Sequence, residues 1–76
     1  MEVKKFVVSE LEKADKISSE NNLHYGIIFW ESPISHNIEK RIVFSNSYCE
    51  VTEWVNNAKK NYENIFHVEY VDGVIY

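Results

Sequence analysis

The sequence predicts an α+β fold: a two-layer sandwich in which a four-stranded antiparallel sheet carries two helices on one face. Three observations lead there. An apolar stripe at helical spacing runs through "SYCEVTEWVNNAKKNYENIF", serine-led capping boxes mark two helix starts, and runs rich in aromatic and β-branched residues stand before and after each box.

Taken in chain order, "KKFVVS" reads as a short strand feeding a helix. Ser9 with Glu12 forms the first capping box, because a serine hydroxyl satisfies a free N–H of the first turn while the glutamate reaches back to the cap. The helix "SELEKADKISSENN" has a thin apolar face of Leu11, Ala14 and Ile17, and Asn21 and Asn22 end it. "LHYGIIFWE" is the second strand. In the loop 32–39 Pro33 stops strand continuation and His36 and Asn37 sit near the tip. "KRIVFSNS" is the third strand. The second box, Ser47 with Glu50, opens a helix whose stripe is Tyr48, Val51, Trp54, Val55, Ala58, Tyr62 and Ile65, with Lys59 and Lys60 toward its negative C-terminal end. "FHVEYV" completes the sheet. The order βαββαβ is the split βαβ, or ferredoxin-like, plan.

A competing arrangement begins with one long helix and runs αββαβ, since Val3, Phe6, Val7, Leu11, Ala14 and Ile17 also share one side of a helix. Against it, Val8 falls outside that stripe, Glu10 falls inside it, and Phe6, Val7 and Val8 are mediocre helix formers. In "VDGVIY", Asp-Gly between apolar residues is a hairpin signal that would fold Val74 to Tyr76 back on the last strand.

Seventy-six residues make a single domain, 1–76, which buries only about 60% of its unfolded surface. Aromatic residues at 14% supply large buried rings, and 45% hydrophobic with 26% charged residues describe an ordinary folded protein. Cys49 stands alone, which fits a reducing compartment, and the three-residue apolar run near the N-terminus is too short for a signal peptide; a cytoplasmic location is expected. The net charge of −4 weakens sequence-independent nucleic-acid binding.

Along the second strand Tyr25, Ile27 and Phe29 point to one side while Ile28 and Trp30 point to the other. If both helices cover one face, the opposite face exposes Ile28 and Trp30, joined by Val43, as an apolar patch of the kind that anchors interfaces. The function expected is a small non-enzymatic protein–protein interaction module, an adaptor or inhibitor. It would bind a protein partner or a second copy of itself through Ile28, Trp30 and Val43, with Pro33 and His36 of the adjoining loop. The alternative is recognition of an anionic ligand or nucleic acid by a basic rim of Lys40, Arg41, Lys59 and Lys60.

Other chemistries lack their residues. RRM domains also expose an aromatic sheet, but "KRIVFSNS" has no glycine for their signature. His24, His36 and His67 are scattered and Cys49 has no second thiol, so no metal site is expected. Gly26 and Gly73 are the only glycines, too few for a phosphate-cradling loop. Glu31 and Glu39 flank one loop without any pattern that would raise a pKa. No catalytic residue, cofactor or membrane partner is expected.

Overall fold

The computed structural model describes residues 3–61 and 67–76. Its elements are α1 (Val3–Asn21), β1 (His24–Glu31), β2 (Ile38–Ser45), α2 (Tyr48–Asn61), β3 (His67–Val71) and β4 (Val74–Ile75). The strands lie in the order β2-β1-β3-β4, and every neighbouring pair is antiparallel. The α+β class, the four-stranded antiparallel sheet and the two helices are as expected. The βαββαβ order is not.

The first correction concerns the N-terminal segment, which is helical straight through Ser9. Phe6, Val7, Leu11 and Ala14 form one continuous stripe packed on Tyr25, Ile27 and Phe29 of β1, and the rings of Phe6 and Phe29 meet edge-on at 6.0 Å. Val8, off the stripe, is left exposed. Glu10, on the stripe, is buried but matched: Lys40 reaches it from β2, and Lys13 lies one turn along at 3.5 Å. Burial alone would raise the Glu10 pKa, yet the hydrogen bond from Lys40 outweighs it and holds the carboxyl below its ordinary value. The residue that argued against a long helix is thus reconciled by a strand thirty positions away. At the other end Asn22 takes a left-handed conformation, φ 53°, and Leu23 N–H returns to the Ser18 carbonyl at 3.0 Å. This is the asparagine form of a helix stop.

α2 begins where its capping box places it. Ser47 Oγ accepts the Glu50 N–H at 3.3 Å, while the Glu50 carboxylate takes the Ser45 hydroxyl at 2.7 Å. Val51, Val55 and Ala58 form its buried stripe. Tyr62, Ile65 and Phe66, expected to extend this helix and to open the last strand, lie outside the described residues.

The second correction is that the helices occupy opposite faces. α1 covers the side of the sheet bearing Tyr25, Ile27 and Phe29. α2 covers the side bearing Gly26, where a Cβ would stand 2.6 Å from Val55 Cγ2 and 3.0 Å from Val51 Cγ1. Its stripe packs with Val71 of β3, and Trp54 leans on the same cluster. The result is three layers, helix on sheet on helix. Such packing needs apolar residues on both sides of β1, and a strand buried on both faces reads as a near-continuous hydrophobic run.

The hairpin signal is fulfilled. Asp72 and Gly73 adopt φ 52° and 85°, the two positive values of a type I′ turn, and pair Val71 with Val74 and Tyr70 with Ile75. Asp72 also stitches β3 to β1: Tyr25 N–H donates to its carboxylate at 3.0 Å and its own N–H donates to the Tyr25 carbonyl at 3.0 Å.

Candidate functional site

The expected partner face is not a face at all. Ile28 is fully buried on the side of β1 that α2 covers, so it offers nothing to a partner. Trp30 is half-buried on that same side, with Glu39 of β2 and His67 of β3 as its cross-strand neighbours. Val43 is half-buried beside Gly26. Pro33 and His36 are exposed in the 32–37 loop, which its own backbone closes: Ser32 N–H donates to the Asn37 carbonyl and His36 N–H to the Ser32 carbonyl, both at 2.9 Å. At the tip Ile34 is 91% exposed, a feature that spacing gave no reason to single out.

Lys40 and Arg41 lie on opposite faces of the sheet. Lys40 turns to the α1 side and pairs with Glu10. Arg41 lies on the opposite side, in a cleft of about 230 Å³ lined also by Trp54, Asn57, Ala58 and Asn61. Lys59 stands 5.4 Å from the centroid of the Tyr76 ring, and Lys60 is exposed on α2. Alternation along β2 forces the split between Lys40 and Arg41.

The histidines are equally dispersed. His24 Nδ1 lies 2.8 Å from the Asp72 carboxylate with the Tyr48 ring edge-on beside it, whereas His67 is paired with the buried Glu69 under α2. Cys49 is exposed at the start of α2. Among the described residues no group of three or more His, Cys, Asp or Glu side chains could hold a metal ion, and no helix is long and apolar enough to cross a membrane.

What the layers leave open is the edge of β2. In an antiparallel sheet the N–H and C=O of one residue point to the same neighbour, and successive residues alternate between the two sides. Tyr25 exchanges both its bonds with Asp72, so the odd residues of β1 face β3. The even ones face β2, as the Ser32 to Asn37 bond at the end of that ladder also shows. By register, Glu39, Arg41, Val43 and Ser45 are therefore the β2 residues bonded to β1. Ile38, Lys40, Ile42 and Phe44 turn their backbone donors and acceptors outward. Ile42 is 36% exposed there, and neither the Glu39 nor the Arg41 side chain has an ion pair or hydrogen bond among the described residues.

The opposite edge is different. β4 has two residues, and Tyr76 beyond it is tied to α2 by Asn56 at 3.3 Å and by Lys59 at 3.4 Å. Very short, tethered edges of this kind are poor templates for a further strand. Comparison with protein-family models, with curated proteins and with solved structures gives no match for this chain.

Proposed function

We propose that this chain is a non-enzymatic protein-binding module, an adaptor or inhibitor, that takes an extended segment of its partner onto the free edge of β2. One observation carries the reading: an eight-residue strand whose outward N–H and C=O groups at Ile38, Lys40, Ile42 and Phe44 have no strand neighbour among the described residues. Strand addition draws its affinity from such main-chain bonds and its specificity from the alternating side chains. The covered faces support the choice of edge over face, since Ile28 lies under α2 and Tyr25, Ile27 and Phe29 lie under α1. The exposed Pro33, Ile34 and His36 adjoin the start of β2 and would flank an added strand.

The test uses Ile42→Pro. Proline at this position removes an outward donor but no bond of the β1–β2 ladder, and edge strands tolerate it. Proteins captured by the native chain should be lost with Ile42→Pro while the circular dichroism spectrum is retained. Equal capture by both chains would remove the edge from consideration.

A further inference from the structure

We propose that the strand recruited by β2 is the β2 of a second copy of this chain, paired antiparallel about a two-fold axis at Lys40, so that Glu39 of each copy faces Arg41 of the other. This rests on the strand-addition reading above and adds to it a partner and a register.

The geometry leaves few choices. A two-fold axis perpendicular to the sheet keeps the α2 sides of both copies on one side. Outward-bonding residues must then meet outward-bonding residues, so Ile38, Lys40, Ile42 and Phe44 pair only among themselves. Sliding one copy along the other gives a short series of registers. Centred on Glu39, the pairing sets Glu39 against Glu39; centred on Arg41, it sets Arg41 against Arg41. Both place like charges directly opposite, which is destabilising. Centred on Ile42, it puts Arg41 against Val43 and Glu39 against Ser45, leaving both charges without a partner.

Centring on Lys40 satisfies the charges. Glu39 and Arg41, both exposed and without a side-chain ion pair or hydrogen bond among the described residues, meet twice by symmetry. They do so at positions that do not exchange hydrogen bonds, where opposed side chains approach most closely. The same register lays the exposed Ile42 against Ile38 of the other copy. Its one liability is Lys40 against Lys40, and the fold already answers it, because each Lys40 ammonium is engaged by Glu10 of its own chain. A lysine on an edge ordinarily repels a second strand. Here that charge is neutralised from within, while the two charges beside it have no partner among the described residues.

Only residues 38–42 overlap in this register, so the interface is small and the association belongs to the weak class, with Kd of order micromolar or above. Sedimentation over roughly 10 µM to 1 mM spans that range. The native mass should climb from 9.0 kDa toward twice that value. Glu39→Arg alone and Arg41→Glu alone should each weaken self-association about tenfold or more, since each turns both ion pairs into like-charge contacts. Mixed in equal amounts, the two variants should form a heterodimer more stable than either variant's own, and the doubly reversed chain, E39R with R41E, should dimerise like the native one. Thermal melting confirms that each variant is folded, and both positions are exposed.

A native chain that stays at 9.0 kDa throughout, single variants that dimerise like the native chain, or an equal mixture that stays monomeric would each overturn the proposal. The two readings fail separately. A monomeric native chain whose capture of another protein is sensitive to Ile42→Pro removes self-pairing and keeps strand addition. Unchanged dimerisation of Ile42→Pro together with unchanged capture of other proteins removes both.

Discussion

Gly26 and Val55 fix how closely α2 approaches the sheet: a Cβ on Gly26 would stand 2.6 Å from Val55 Cγ2, inside any contact a real side chain makes. Val55 is β-branched and fully buried in a helix, where one χ1 rotamer is strongly preferred, so it yields little room. Gly26→Ala should therefore destabilise the fold by about 1–3 kcal/mol through overpacking. Removing the obstructing methyls with Val55→Ala in the same chain should recover part of that loss. Denaturant titration of the two single variants and the double variant measures the coupling.

Glu10 predicts the acid side of the stability profile. Its pKa is lowered in the folded chain by Lys40, so its contribution is fully present above its ordinary range, about pH 4.5, and is lost as pH falls through the depressed folded value. Lys40→Met should return that pKa toward or above normal and flatten the acid limb of the melting curve, because the stability that Glu10 loses on protonation is already absent at neutral pH. Its cost at neutral pH should be about 1 kcal/mol, because Lys40 is 39% exposed to screening water and Lys13 stays as a partner. Melting temperature against pH for the native and variant chains checks both statements.

Tyr25 governs the alkaline side. Burial pushes its pKa up, and the hydroxyl's hydrogen bond to Asp15 at 2.6 Å pushes in the same direction. The neutral phenol is therefore favoured in the fold. The stability this gives is complete below the ordinary tyrosine pKa, about 10, and drains away as pH rises above it toward the elevated folded value. Tyr25→Phe should lose about 0.5–1.5 kcal/mol near neutrality and flatten the alkaline decline. Spectrophotometric titration of tyrosine absorbance against unfolding reports the difference.

Trp30 should act on stability before it acts on binding. It is half-buried on the side of the sheet that α2 covers, so Trp30→Ala should lower unfolding free energy by about 2 kcal/mol or more. An unchanged denaturation midpoint would return the indole to the list of surface anchors.

Much of this architecture is legible in single segments, and what is not depends on distant partners. The start of α2 is written in Ser47 and Glu50, and the final hairpin in Asp72 and Gly73, because caps and tight turns are settled by neighbours in the chain. Ser9 and Glu12 carry the same pattern yet lie inside α1, since a capping box only permits a helix start. The decision is made by Phe29 beneath Phe6 and by Lys40 beside Glu10, neither of them local. Apolar residues on both sides of β1 suggest an exposed patch when two helices are assigned to one face. The same residues record cover on both faces, and Gly26 within the run is the local sign of it, marking a close backbone approach. The open edge depends on strand order, which no window of residues contains.

Because β1 is flanked by β2 and β3 and roofed on either side by α1 and α2, no partial fluctuation can wet its middle without dismantling the molecule. Deuterium should accordingly enter the amides of Ile27 and Ile28 only through the equilibrium population of whole-molecule unfolding, and that of Ile75 by fraying. The slowest protons in the molecule would then read out its global free energy without any denaturant.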